Sequence, residues 1–373
     1  MSFLMNNKIS ALILFMPNEL VPTQMCVESL LRADYENFEV LILQNGIEGT
    51  EFSESFTSDS RVKFFAVHKN LGVAGGRNYL LNQVSDESEF ISVLDNDLLV
   101  PRDYFKLMSS SYSSDIGILG SVVFDYKEYL LSPYFLKFIK TSNELTAYTF
   151  DLTNKDFANY YKTQKRFLNE NEIFHMGMNF DYRTVYFLNI LKFYRQFTSK
   201  MKRKVKILDR CELDLKKSIY HRSLIYSDKL LSVSNVAGCC QFFSVSFFKK
   251  IGFYDDRFNP YGFEDVDYSI RSIKLGYSNK TLMNSFLVHG TDERHSVRNP
   301  SSPHLIIKYR ALFRLFDKYN KSQLSRCLFF FNFILCLSLR VLFSFNLTRI
   351  RSLKQRLVVI VTGKKESVKG TKK

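Results

Sequence analysis

Hydrophobic and polar positions in the first third of the chain fall into two alternating textures. Short apolar runs at 10–16, 38–43, 61–67 and 90–94 have the length and content of β-strands. Between them, the segments 22–32, 74–83 and 101–112 read as helices. This alternation predicts a parallel sheet covered by helices. In open sheets of that kind, ligands gather beyond the carboxyl ends of the strands. The residues to inspect are therefore those of the loops at 17–21, 44–50, 68–76 and 95–99.

The texture changes after residue 125. Residues 126–231 lose the alternation and become rich in Phe, Tyr, Asn and Lys, with a basic patch at 200–206, and read as an inserted, mainly helical subdomain. After Ser232 the pattern resumes with a strand at 236–244, a helix at 247–251, a loop, and a helix at 264–275 that stops at Gly276. On that last helix Val266, Ile270 and Ile273 recur at helical spacing, which predicts an inward apolar face and leaves Glu264 and Asp265 at the amino end. Acids in a first turn also serve as caps and dipole partners, so their position alone assigns no chemistry.

Composition narrows the class. A chain of 373 residues, 46% hydrophobic and 24% charged, with only 15 Gly and 7 Pro, is neither collagen-like nor disordered. The net charge of +15 is unevenly placed. Residues 1–125 with 232–300 carry 16 Lys or Arg against 24 Asp or Glu; residues 126–231 carry 20 against 11, and residues 301–373 carry 16 against 2. A basic tail on an acidic body points to an anionic surface as partner rather than to nucleic acid. Cys26, Cys211, Cys239, Cys240, Cys327 and Cys336 form no C-x-x-C pair, which fits a reducing compartment. The apolar stretch at 9–16 is too brief for a secretory signal, so the body is expected in the cytoplasm.

Two stretches carry candidate chemistry. Asp95-Asn96-Asp97 ends an apolar strand with two acids that offer hard oxygen ligands to Mg2+ or Mn2+, although Asp and Asn also suit an ordinary turn. In Asn70-Leu71-Gly72-Val73-Ala74-Gly75-Gly76-Arg77-Asn78, glycines permit close backbone approach at a helix start and Arg77 offers a fork of donors to phosphate. The stretch lacks the G-x-G-x-x-G spacing of a dinucleotide fold and the Gly-Lys-Ser/Thr ending of a P-loop.

Taken in order, these blocks resemble the inverting family 2 glycosyltransferases of the GT-A fold, especially their bacterial rhamnosyltransferase-like branch. The resemblance rests on Asn18 followed by Cys26 to Leu31, on Asn45-Gly46, on the glycine stretch and on Asp95-Asn96-Asp97. It continues through Ile251-Gly252-Phe253-Tyr254-Asp255, Tyr261-Gly262-Phe263-Glu264-Asp265-Val266-Asp267, Arg271 and Gly276-Tyr277, to His289 after an apolar run. It implies an α/β GT-A type mixed sheet that binds a nucleotide-diphosphate sugar, with a donor half at 1–125 and an acceptor-side half with the catalytic base at 232–300. The 126–231 segment is then the insertion and 301–373 a helical, basic, membrane-associating tail. The implied roles are Asp265 as base with Glu264 as its fallback; Asn18, Asn45, Gly75, Gly76, Arg77 and Asp95 as donor-binding; and Asp97, Asp95 and His289 as ligands of Mn2+ or Mg2+. A satisfied structural histidine is the other reading of His289.

The implied reaction is inverting hexosyl or deoxyhexosyl transfer to a hydroxyl of a lipid-linked surface glycan such as O-antigen or capsule. Two departures stand out. Gln44 occupies the place where many relatives have an acid that reads the nucleobase, and Met16-Pro17-Asn18 replaces the usual Thr-Tyr-Asn. Cys239 and Cys240 read as core packing. The competing functions are a sugar nucleotidyltransferase, whose phosphate loop finds no glycine or basic residue in Pro17-Asn18-Glu19, and a basic nucleic-acid-binding protein with 36 Phe and 21 Tyr. In the tail, the apolar runs 327–339 and 341–347 are split by Arg340 and followed by Arg349, Arg351, Lys354 and Arg356. An interfacial helix on the inner face of the cell membrane, a buried helix and a true span are all open there.

Overall fold

The computed structural model of the protein describes residues 7–46, 56, 59–125, 136–140, 146–150, 153–156, 173–175, 228–289 and 303–319. Contacts divide the chain into two compact units. One comprises Met1–Asn179, Leu224–Pro260 and Glu264–His295, and the other Phe180–Ser223, Tyr261–Phe263 and Ser296–Lys373.

The first unit holds a mixed α/β sheet flanked by helices. Its early strands are β1 (Lys8–Phe15), β2 (Phe38–Asn45), β3 (Val62–Val67), β4 (Ser88–Asp95), the two-residue β5 (Leu98–Leu99) and β6 (Ile116–Asp125). Three strands are described in the insertion: β7 (Leu136–Lys140) pairs with β8 (Thr146–Phe150) in a separate two-stranded sheet, and β9 (Ile173–His175) joins β6. The later strands are β10 (Leu230–Val233), β11 (Cys240–Ser244) and β12 (Ser278–His289), giving the order β10-β12-β6-β11-β4-β1-β2-β3. β1, β2, β3 and β4 are mutually parallel, β11 runs antiparallel to β4, and β12 runs parallel to β6.

Alternation along β1 explains the layers. Ile9, Ala11, Ile13 and Phe15 point to one face and join Cys26, Val27 and Leu30 of α1 (Leu20–Leu31) and Tyr104, Phe105 and Met108 of α3 (Tyr104–Ser111). Leu12 points to the other, with Ala74, Leu80 and Leu81 of α2 (Gly72–Leu81), Phe247 and Ile251 of α4 (Val245–Ile251), and Tyr268 of α5 (Glu264–Lys274). A strand buried on both faces reads as a nearly continuous apolar run, which is why these stand out in the sequence; the buried exceptions are bonded, as Ser10 of β1 is to Glu39 of β2. In the second unit, α6 (Pro303–Tyr319) buries Ala311 and Leu315.

Three expectations change. Residues 236–239 lead into β11 without forming strand, because the Val236 and Gly238 N–H groups and carbonyls bond to side chains; pairing with β4 begins only at the Cys239 carbonyl, which accepts from the Asp95 N–H. On α5 the buried residues include Glu264, Asp267, Ser269 and Ser272, while Ile273 is 45% exposed, so the apolar spacing does not mark the inner face. The helix lies close to the sheet through its small and polar side: a Cβ on Gly117 would stand 2.0 Å from Ser272 Oγ. β5 to β10 and β12 were not foreseen, and β7, β8 and β9 fall in the segment expected to be mainly helical; polar positions such as Ser121 and Asn284 interrupt β6 and β12, and β5, β9 and β10 are short. Most of the insertion, and the tail segment 327–347, lie outside the described residues.

Candidate active site

The carboxyl ends of β4 and β12 meet. β5 pairs with the end of β12, His289 opposite Leu98, which turns the loop after β4 back towards the histidine. His289 Nε2 lies 3.3 Å from Asp95 Oδ2 and 3.4 Å from Asp97 Oδ1. Asn96, between the acids, donates instead to Thr23 Oγ1 of α1 at 3.0 Å and to Glu19 Oε2 at 3.4 Å. Asp95, Asp97 and His289 each present one donor atom, all within 4.8 Å of one another. Two carboxylate oxygens and an imidazole nitrogen so converged fit a divalent cation.

Electrostatics separates the two acids. Burial pushes Asp95 up, but the His289 hydrogen bond and the Arg77 charge outweigh it and hold its carboxyl below the usual range. Asp97 is raised, chiefly by burial, against the opposing pull of His289. A cation placed among the three would favour both carboxylates in their charged form.

Arg77 is not open to a ligand. It is 5% exposed, and its Nη2 donates to Asp95 Oδ1 at 3.0 Å and to the Gly238 carbonyl at 2.8 Å, while Nη1 donates to Glu264 Oε1 at 3.4 Å. The Tyr254 ring lies beneath the guanidinium at 5.6 Å. Glu264, its partner, is 7% exposed. Asp265 points differently: Oδ2 accepts from the Gly238 N–H at 2.9 Å and Oδ1 from the Val266 N–H at 2.8 Å. Burial raises the Asp265 pKa; the Gly238 hydrogen bond and Arg77 oppose the rise.

The glycine stretch is likewise occupied by protein. Asn259 Oδ1 accepts from the Ala74 N–H at 3.1 Å and the Gly75 N–H at 3.3 Å, satisfying donors at the start of α2. Gly72, at φ 75°, leaves room for that amide, since a Cβ there would stand 2.4 Å from Asn259 Oδ1. Gly76 lies against Leu14. Asn45, buried at the end of β2, accepts from the Leu71 N–H at 2.8 Å and donates to the Gly72 carbonyl at 3.2 Å, holding this loop. Asn18 sits exposed on the 3-10 turn Pro17–Glu19. The structure therefore brings Asp95, Asp97 and His289 together, pairs Arg77 directly with Glu264, joins Arg77 to Asp265 through the carbonyl and the N–H of Gly238, and turns Gly75, Gly76 and Asn45 to protein partners.

Sequence reasoning passed over Gly238 and Asn259. Their signals were slight: a glycine just before the cysteine pair, and an Asn-Pro in the loop before α5. Cys239 and Cys240 are buried, and burial pushes both thiols up, as packing residues require.

The family model for glycosyl transferase family 2 matches residues 13–252. The uncharacterized glycosyltransferase YfnE of Bacillus subtilis (strain 168) is 26% identical over 295 residues, covering 76% of this chain. The chain spans 64% of the length of that relative. Among solved structures, the mannosyltransferase PcManGT from Pyrobaculum calidifontis, in complex with GDP-Man and Mn2+, aligns with a TM-score of 0.47 and 10% identity, over 95% of this chain and 80% of that one. GalNAc-T7 with UDP, GalNAc and Mn2+ aligns at 0.46 and 13%, over 82% and 48%.

Proposed function

The chain belongs to glycosyl transferase family 2, and on that premise we propose that it moves a hexosyl or deoxyhexosyl group from a nucleotide-diphosphate donor to an acceptor hydroxyl with inversion. The observation that carries the reading is the convergence of Asp95, Asp97 and His289 from two distant strand ends. When bound there, Mn2+ or Mg2+ would neutralise charge on the departing diphosphate.

The chain's own residues supply the rest. Asp265 takes the proton from the acceptor hydroxyl as its oxygen attacks the anomeric carbon and the bond to the diphosphate breaks on the opposite face. Glu264 is the weaker candidate for base, because it is buried and paired with Arg77. Arg77 holds Asp95 in place instead of gripping phosphate. Asn18, exposed on the turn after β1, would contact the donor. Asn45 holds the loop at Leu71 and Gly72.

The acceptor in this reading is a lipid-linked surface glycan at the inner face of the cell membrane. Its support is the charge of residues 301–373, 16 Lys or Arg against 2 acids. Among the described residues, no helix is long and apolar enough to cross a membrane.

The test is thermal stability of the purified protein against UDP-, GDP- and dTDP-linked sugars with and without Mn2+. A true donor at a hundred times its Kd adds about 2.7 kcal/mol, a plain rise in Tm. Asp97→Ala should abolish the Mn2+-dependent part of that rise. Full donor affinity in this variant with Mn2+ present would remove Asp97 from the metal site.

A further inference from the structure

Asp265 and the Asp95 end of the metal cluster lie on different elements, and one short backbone segment stands between them. Every peptide group of that segment is held. The Val236 N–H donates to Ser269 Oγ of α5 at 3.2 Å, and the Val236 carbonyl accepts from Gln241 Nε2 at 2.9 Å. The Ala237 carbonyl accepts from the Cys240 N–H at 3.2 Å. At Gly238 the two sides of the residue are divided: its N–H goes to Asp265 and its carbonyl to Arg77. The Cys239 carbonyl then accepts from the Asp95 N–H at 3.0 Å. Gln241 is itself held by the Tyr254 hydroxyl at 2.6 Å, and Tyr254 stacks on Tyr268 of α5 at 4.2 Å between ring centres.

No side chain fits at the middle of this arrangement. A Cβ on Gly238 would stand 2.8 Å from Arg77 Nη1 and 3.3 Å from Asp265 Cβ. Arg77 cannot retreat without releasing Asp95 or Glu264, both of which it bonds.

We propose that Gly238 and Arg77 are positioning residues that fix the separation between the base Asp265 and the metal-holding Asp95, so that attack and departure are aligned across the sugar. This rests on the reaction proposed above and deepens it, because alignment matters only if Asp265 works on a group whose other face is held at Asp95. Neither residue touches substrate in this account. Each acts through a carboxylate.

The experiment compares Gly238→Ala, Arg77→Lys and Asp265→Asn in the full chain. It measures kcat and KM with a donor that raises Tm in the screen, and Mn2+ affinity without donor. Misplacing a reacting group by about 1 Å can cost about 100-fold, so Gly238→Ala is expected to lower kcat by about that factor. Its donor KM and Mn2+ affinity should stay within a few-fold. Arg77→Lys keeps the charge but loses the fork, and should lower kcat by more than it changes KM. If kcat, KM and Mn2+ affinity collapse together in both variants, the segment serves the fold alone and the inference fails. If Asp265→Asn is inactive while Gly238→Ala keeps kcat within about threefold, the inference also fails but the proposed base stands. An active Asp265→Asn variant would overturn the base itself.

Discussion

At the residue scale, Asp265 and Glu264 show why neighbours in sequence take different chemistry. One backbone step sends Glu264 to a buried guanidinium and Asp265 to a peptide N–H. Burial raises the Asp265 pKa, so its proton comes off at higher pH than that of an exposed aspartate. The sign follows: a base must be ionised, so the acid limb of kcat against pH should lie above the ordinary carboxylate range. Asp265→Asn should lower kcat by about 100-fold or more, with donor binding nearly unchanged. The same shift makes the ionised form a cost to the native state, with stability lost as pH rises through the raised pKa. An amide at 265 can accept from only one of the two N–H groups that Asp265 satisfies, so the pH dependence is the signature: the Tm of Asp265→Asn relative to the parent should fall on acidification, as the parent's carboxyl takes up its proton. The Asp95-Asn96-Asp97 turn was legible as a candidate because two carboxylates at a strand end are distinctive, whereas Glu264 and Asp265 stood out only through the resemblance. Gly238 was not legible, because what matters there is the space a missing side chain leaves between two distant groups.

At the element scale, the strands buried on both faces were legible and the helix buried through its polar face was not. α5 presents Ser269, Ser272 and Asp267 inward, where each can bond or fit closely, and periodicity of apolar residues is blind to that. β12 shows a related device. Its register against β6 jumps between Leu282 and Phe286, and the Phe286 N–H is met at 2.6 Å by Asn154 Oδ1 from the insertion. Asn154 also donates to Asp103 Oδ1 at 2.9 Å, beside the start of α3. Asn154→Ala leaves a buried donor unmet and should destabilise the protein by about 1–3 kcal/mol, read as a lower urea midpoint. Because β12 ends in His289, Mn2+ affinity should weaken with it, though less than in His289→Ala. Asn259→Ala, removing the cap on α2, should cost about 1 kcal/mol by the same measurement.

At the scale of the whole molecule, the division of charge separates the chemistry from the terminal region. The segments with the site are net acidic, and residues 301–373 carry 16 basic side chains against 2 acidic ones. Each basic side chain near an anionic leaflet contributes about 1 kcal/mol, so several together can hold an enzyme there. Deletion after Tyr319 should release the protein from anionic vesicles in co-sedimentation while Mn2+-dependent donor binding persists; loss of donor binding would make those residues part of the fold. The meeting of Asp95 and His289 also joins positions 194 residues apart, the second at the end of the last strand of the sheet, in chain order, among the described residues. A growing or refolding chain can assemble β1 to β4 and still hold only two of the three donor atoms. If β12 docks after the rate-limiting step, Mn2+ stabilises only what forms late: it should slow unfolding and leave the refolding rate unchanged, lowering one arm of the kinetic chevron and not the other. The ion would then act as a latch that closes behind a finished chain, and escape from the native state would be slowest in the protein that is ready to work.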